Sequence, residues 1–322
     1  MKKIILCLLT AFLLAMTGCG SEVKKSDRIS IVTTCFPPYD FARAVTGDNA
    51  DITMLLCPGA EAHSYEPAPL DILKIQQCDV FIYIGGEGEV WADKILSSLD
   101  TSDMTVIRLF DFVEPLCEEE VMGASPIGHE HEHSHEHEHE HEHEEDEEFD
   151  EHIWTSPSNA IKCVNAVEEN LSLRYPELKN AFSANGNAYV SKLGELDKEF
   201  SEMVQNAPSD NIIIADRFPF RYLAADYGLN YYAAFSGCSS ESEPGVYTMA
   251  FLIDKILEEH KDTIFYLEFS TQKLSEKLCD ATGAKALPLQ SCHNVTPRDF
   301  DSGVTYIDLM TRNLENLREA LY

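Results

Sequence analysis

The sequence predicts an α/β protein of two (β/α) lobes, each with a parallel-type sheet, joined by a long helix. Three observations lead to this fold class. Short β-like runs alternate with helical patterns between residues 29 and 109, and the alternation resumes between residues 211 and 321. A helical stretch from 177 to 205 without internal proline separates the halves. Strands that alternate with helices pair in parallel and are covered on both faces.

The first half contains four β-like runs rich in β-branched and apolar residues, separated by helical patterns. The helix before Gly47 ends at that glycine, and the apolar run that begins at Val80 ends in Gly85 and Gly86. We predict, in order, strand 29–33, helix 40–45, strand 52–56, helix 70–76, strand 80–84, helix 91–99 and strand 105–109.

The second half repeats the alternation after two helices. The second of these helices carries regularly spaced apolar residues such as Leu193, Leu196 and Phe200, and it is long enough to bridge two lobes. We predict helix 157–173, helix 177–205, strand 211–215, helix 222–227, strand 231–235, helix 246–259, strand 264–269, helix 272–281, strand 285–289 and helix 303–321. A ligand site is then expected in the cleft, at the carboxyl ends of the strands.

The first residues indicate export. Lys2 and Lys3 precede an apolar run too short to span a bilayer comfortably, and Gly18 precedes Cys19. This pattern resembles a bacterial lipoprotein signal with Cys19 as the lipidated residue; an ordinary secretory signal is the alternative. We therefore expect an extracytoplasmic protein anchored to the cell membrane by lipid. The predicted units are signal peptide 1–18, tether 19–27, N-terminal lobe 28–175, linking helix 176–207 and C-terminal lobe 208–322.

The net charge of −32 is concentrated in one segment. Residues 118–151 contain sixteen acidic residues and no Lys or Arg. Such a chain is a poor partner for nucleic acid. The ten cysteines show no CxxC and no framework spacing. Apart from Cys7 in the signal and Cys19, eight remain, and we expect buried free thiols, with disulfides as the alternative.

Within the acidic segment, 118–150 is expected to be a disordered His/Glu-rich loop, because it has no apolar face to bury. Residues 129–143, called here the His-rich tract, carry eight of the twelve histidines: His129, His131, His133, His135, His137, His139, His141 and His143. Imidazoles in such number favour weak binding of a borderline cation such as zinc. A solvated loop that only maintains solubility is the alternative.

The tract also contains His131-Glu132-His133-Ser134-His135, which satisfies the HExxH pattern of zinc proteases. That pattern requires an apolar-backed helix, which this composition cannot form. The sequence has no Gly-rich phosphate loop and no nucleophile elbow. We therefore predict that the protein is not an enzyme.

Four histidines lie outside the tract. His63, His152 and His293 fall near the predicted open ends of strands, whereas His260 ends a charged helix and is expected to be solvated. Three histidines at equivalent topological positions predict a metal site in the cleft.

The chain resembles the zinc and manganese solute-binding lipoproteins of ABC transporters over essentially the whole mature sequence. The motifs that carry the resemblance are Ile31–Thr34, Pro38–Tyr39, Gly59–Pro67, Asp150–Trp154, Tyr222–Ala224, Tyr227–Leu229, Glu243–Pro244, Thr305–Tyr306 and Asn313–Leu314. The resemblance implies two lobes joined by a rigid helix, with the metal between them. A His-rich loop just before the second ligand is typical of the zinc branch.

Carried over by position, His63 and His152 match the first and second metal ligands of that family. Arg217 stands where the family has its third ligand, and it cannot bind a cation because guanidinium has no acceptor. His293 lies near the fourth. Asp216 and Glu268 either complete the coordination or pair with Arg217, and we favour the pairing because a cation beside a metal needs an anion.

Three imidazoles favour Zn²⁺ over Mn²⁺, which prefers oxygen ligands, while iron or nickel stays open. We expect a monomeric receptor that captures zinc and delivers it to an ABC permease in the membrane. The alternatives are a manganese or iron carrier of the same class, and a metal-dependent surface adhesin or extracellular metal buffer that acts through the His-rich tract.

Overall fold

The computed structural model describes residues 28–119, 121, 148–237 and 244–322. Its first lobe contains a four-stranded parallel sheet in the order β2-β1-β3-β4. The strands are β1 (Ile29–Thr33), β2 (Ala50–Met54), β3 (Val80–Tyr83) and β4 (Thr105–Arg108), and the helices between them are α1 (Phe36–Thr46), α2 (Pro69–Gln77) and α3 (Val90–Ser98).

Both faces of this sheet are covered, as a parallel sheet requires. Ile31 and Ile82 belong to a large cluster that includes Phe41. Their neighbours Val32 and Phe81 point into a second cluster on the other face. Successive side chains along each strand therefore point into opposite apolar layers, one on each face of the sheet.

The second lobe repeats the arrangement in the order β6-β5-β7-β8, again with all strands parallel. Its strands are β5 (Asn211–Phe218), β6 (Asn230–Ser236), β7 (Thr263–Leu267) and β8 (Lys285–Leu289). Helices α4 (Pro157–Arg174) and α5 (Lys179–Asn206) precede it, and α6 (Arg221–Tyr227), α7 (Val246–Glu258), α8 (Lys273–Thr282), α9 (Pro297–Asp301) and α10 (Tyr306–Leu321) lie within it. The predicted fold class is confirmed.

Helix α5 runs for 28 residues without a break and contacts elements of both lobes. The buried carboxylate of Asp40 in α1 helps to hold these elements together. It accepts hydrogen bonds from the Tyr189 hydroxyl of α5 at 2.5 Å and from the Tyr306 backbone N–H of α10 at 2.8 Å. One carboxylate thus ties the first lobe, the long helix and the last helix.

Three predicted boundaries differ from the structure by three residues or more. Helix α1 begins at Phe36 rather than Asp40, because Pro37 and Pro38 occupy the first turn, where no backbone N–H is needed. Strand β5 extends past Ala215 to Phe218, with a register irregularity between Ile214 and Arg217. The last helix begins at Tyr306 rather than Gly303, because Thr305 and Asp308 form a capping box there.

Seven of the eight cysteines expected in the mature chain lie in the described ranges, and Cys238 lies outside them. Cys35, Cys57, Cys78, Cys163, Cys279 and Cys292 are free thiols. Cys35, Cys78, Cys163 and Cys292 are buried, as predicted, whereas Cys57 and Cys117 are exposed. Among the helices that the structure describes, none combines the length and apolar character that crossing a membrane requires. Residues 1–27, including Cys19, lie outside the described part of the chain.

Candidate metal centre

The imidazoles of His63, His152 and His293 converge at the junction of the two lobes. One ring nitrogen of each lies within 4.8 Å of the corresponding nitrogens of the other two. The ring centroids are 5.4 Å apart for His63–His152, 5.4 Å for His63–His293 and 5.9 Å for His152–His293. The three predicted ligands therefore meet, although they come from distant parts of the sequence.

His63 lies on the loop between β2 and α2, and that loop is attached to the segment that carries His293. The Asn294 side-chain amide donates to the backbone oxygens of Cys57 at 2.8 Å and Ala60 at 2.9 Å. The backbone N–H of Gly59 donates to the Val295 oxygen at 2.8 Å. Two of the three imidazoles are thus positioned against each other across the lobe junction.

His152 precedes a short 3₁₀ turn, Ile153–Thr155, that leads into α4, and its side chain is 0 % exposed. Asp150 Oδ1 lies 3.1 Å from His152 Nδ1 and accepts the His152 backbone N–H at 2.8 Å. A carboxylate at Nδ1 holds the proton there and leaves the lone pair on Nε2. That Nε2 atom is buried and has no hydrogen-bond partner among the described residues. A buried ring nitrogen that keeps its lone pair and has no hydrogen-bond partner is suited to bind a cation.

His293 follows β8, where Cys292 adopts a left-handed φ of 60°. The Trp154 ring packs beside two of the candidate ligands, with its centroid 4.7 Å from that of His293 and 5.4 Å from that of His152. Trp154 Nε1 donates to the Ser291 backbone oxygen at 2.7 Å. The tryptophan therefore packs against both rings and fixes the loop that carries His293.

The electrostatics keep two of the imidazoles neutral. Burial, the neighbouring His152 and the guanidinium of Arg217 lower the pKa of His63 to about 3. Burial and the charges of His63 and His152 place the pKa of His293 well below its usual value. Burial opposes protonation of His152 too, but the Asp150 and Glu151 carboxylates raise its pKa. His63 and His293 are therefore neutral near pH 7 and available as ligands.

The predicted pairing of Arg217 with Asp216 or Glu268 is not observed. Arg217 forms an ion pair with Glu61, with 3.2 Å between Nη2 and Oε2. Asp216 instead accepts the backbone N–H of Arg217 at 2.9 Å. Glu268 accepts the Ser291 backbone N–H at 2.7 Å and the Ser291 hydroxyl, and burial raises its pKa to about 7. The favoured pairing was wrong because the carboxylate that reaches Arg217 comes from the other lobe.

Sequence reasoning assigned no role to Glu61, Asp150, Trp154 or Asn294. The first three lie within two residues of His63 or His152 and inside the quoted motifs, so their position was a usable signal. Asn294 follows His293 directly, but its contacts with the β2–α2 loop are visible only in the folded protein. His260 is exposed, as predicted.

The His-rich tract lies outside the described residues, but the chain on either side of it is described. The Glu118 N–H donates to the Glu148 oxygen at 2.8 Å, and the Asp150 N–H donates to the Leu116 oxygen at 2.9 Å. The Tyr222 hydroxyl donates to the Asp150 oxygen at 2.8 Å. The two flanks of the tract therefore meet next to His152.

Two parallel α/β lobes with three converging imidazoles at their junction define the class of two-lobed solute-binding proteins. The sequence model of the ZnuA family, described as zinc-uptake complex component A, periplasmic, matches residues 31–320. The chain belongs to this family. Membership agrees with the prediction of a binding protein rather than an enzyme.

The chain is 34% identical over 324 residues to the zinc-binding lipoprotein AdcA of Streptococcus pneumoniae strain R6, which covers 99% of this chain but only 61% of AdcA. It is 30% identical over 302 residues to the high-affinity zinc uptake system protein ZnuA of Bacillus subtilis strain 168, with coverage of 94% and 90%. The crystal structure of the Zn(II)-bound ZnuA-like domain of S. pneumoniae AdcA matches with a TM-score of 0.74 and 31% identity, and covers 91% of this chain and 99% of that domain.

Proposed function

We propose that this protein captures one zinc ion between its lobes and delivers it to an ABC permease. The observation that carries the proposal is the buried Nε2 of His152, which has no partner among the described residues and belongs to a cluster of three imidazole nitrogens. A cation is the ligand that three converging imidazole nitrogens bind together. This geometry and the family membership support the proposal.

Zinc is the favoured cargo, because all three protein donors are nitrogen atoms. Manganese prefers oxygen ligands, whereas zinc binds imidazole in tetrahedral sites. The names of AdcA and ZnuA, which describe zinc binding and zinc uptake, support the same choice.

Delivery requires that the site opens when the protein meets the permease. His63 and His152 belong to the first lobe, whereas His293 follows the last strand of the second lobe. A docking event that shifts one lobe withdraws one imidazole from the other two, and the ion is then held by too few ligands. We infer that the protein acts as a monomer outside the membrane, anchored through a lipid on Cys19; the word lipoprotein in the name of AdcA supports the anchor.

The His-rich tract is proposed to collect zinc weakly and to raise its concentration beside the cleft. The contact between its two flanks next to His152 supports this role. Each tract site is expected to bind more weakly than the cleft, because a segment of this composition has no apolar face that would hold its donors in place before the ion binds.

Removal of residues 129–143 is expected to leave one tight zinc site per molecule. The three cleft imidazoles come from other segments, so the deletion changes only the number of weak sites. Isothermal titration calorimetry with Zn²⁺ in competition with a chelator separates the tight site from the weak ones. A matched control replaces the tract with a Gly/Ser segment of the same length. If the deletion and the replacement both lose the tight site, the protein is a metal buffer that acts through the tract.

A further inference from the structure

The three imidazoles leave one position of a tetrahedral zinc ion for another donor. Three of the described carboxylates near the centre are already engaged. Asp150 Oδ1 contacts His152, and both oxygens of Glu268 accept from Ser291. Glu151 Oε2 accepts the Gly88 N–H at 2.6 Å, and its Oε1 lies 3.9 Å from His63 Nδ1. None of these three carboxylates pairs with the guanidinium that lines the same cavity.

Arg217 makes this position unusual. Its side chain lines the same small cavity as His63, His152 and His293. The guanidinium carries a permanent charge and offers only donors. A divalent cation placed beside it is repelled, unless an anion lies between them and contacts both.

One anion already contacts Arg217. The Glu61 carboxylate is 3.2 Å from Nη2, and its side chain is 43 % exposed, so it can change rotamer without disturbing the core. Glu61 stands two residues before His63 and lines the same cavity as the three imidazoles. To act as a donor, Glu61 would have to rotate one oxygen toward the imidazoles while the other stays on Arg217.

The second candidate source of a carboxylate is solvent. Access is through the adjoining cavity of about 560 Å³, which Glu61, His63 and Arg217 also line. Lys273 and Lys277 lie on its wall together with Asp216. A small free carboxylate that enters from solvent therefore meets three cationic side chains and the carboxylates of Asp216 and Glu61. Carboxylates pair with guanidinium through two parallel hydrogen bonds.

We propose that a carboxylate oxygen paired with Arg217 completes the coordination of the metal. The arginine thus stands where a direct ligand is expected and acts by holding the anion that binds the ion. The carboxylate comes either from Glu61 or from a free carboxylate in the adjoining cavity. This inference rests on the proposed function, because it assigns the fourth position of the proposed zinc site.

The test measures the zinc affinity of the full chain by chelator competition in a carboxylate-free sulfonate buffer, with and without sodium acetate at constant ionic strength. The variants are Arg217→Gln and Glu61→Gln. The matched controls are Arg221→Gln, whose side chain pairs with Glu119, and the exposed Glu87→Gln. Circular dichroism verifies that each variant is folded.

Arg217→Gln is expected to weaken zinc binding about 10- to 100-fold, the usual effect of removing a group that holds a metal ligand. If Glu61 supplies the oxygen, Glu61→Gln weakens binding by a similar factor and acetate leaves the wild type unchanged. If a free carboxylate supplies it, acetate tightens binding of the wild type and of Glu61→Gln at least about tenfold, but not of Arg217→Gln.

Unchanged or tighter zinc binding in Arg217→Gln overturns the proposal, because the guanidinium then only repels the ion. The absence of any response both to Glu61→Gln and to acetate overturns it as well. His152→Ala in the same assay separates the two claims. If His152→Ala loses the tight site while Arg217→Gln keeps it, only this inference fails. If His152→Ala keeps the tight site, the proposed zinc site itself fails.

Discussion

His152→Ala is expected to abolish the tight zinc site, with a loss of affinity of about 1,000-fold or more. The effect exceeds the 10- to 100-fold cost of removing an outer partner of a ligand, because one of three direct donors disappears. The buried Nε2 then has no substitute, since the side chain is 0 % exposed and water does not reach the position freely. Calorimetry with Zn²⁺, in competition with a chelator, measures the change.

Two controls make this result interpretable. His260→Ala removes an exposed histidine far from the centre and is expected to leave the affinity unchanged. Thermal unfolding of His152→Ala without metal shows whether the fold survives the loss of the contact with Asp150. A folded His152→Ala protein that still binds one zinc ion tightly would contradict the site.

Trp154→Ala is expected to lower the free energy of unfolding by about 3–5 kcal/mol, the usual cost of truncating a buried tryptophan. Its side chain is fully buried, and its ring packs against His152 and His293. The Ser291 oxygen also loses the 2.7 Å hydrogen bond from Nε1. Zinc affinity is expected to fall together with stability, because the loop that carries His293 loses its support. Urea unfolding without metal gives the free energy.

The other tryptophan of the chain supplies the comparison. Trp91 is only partly buried, and the centroid of its ring lies 5.6 Å from that of Tyr65. Trp91→Ala is expected to cost less stability and to leave the zinc affinity nearly unchanged. Equal losses in the two variants would show that Trp154 has no special relation to the ligands.

The periodic elements were predictable because their signals are local. Strands such as Val80–Tyr83 are continuous apolar runs, and the 28-residue helix has a regular apolar stripe. The errors arose where local rules compete. Pro37 and Pro38 suit the first turn of α1, and Thr305 with Asp308 forms a capping box, but neither signal was used to place the helix starts.

The three metal-binding candidates were predictable because histidines outside the tract are few and lie beside strand ends. The ion pair between Arg217 and Glu61 was not, because no pattern in one sequence shows which residues meet across a cleft. The hydrogen bonds from the Asn294 side chain to the β2–α2 loop were not predictable for the same reason. Contacts between lobes depend on the packing of both domains, which neither periodicity nor spacing encodes.

X-ray diffraction from a crystal soaked in Zn²⁺, with anomalous data at the zinc edge, tests the central claim most directly. The account predicts one strong anomalous peak bonded to ring nitrogens of His63, His152 and His293, with Nε2 as the donor atom of His152. A peak elsewhere on a fully loaded protein, with these three imidazoles free of metal, would contradict it.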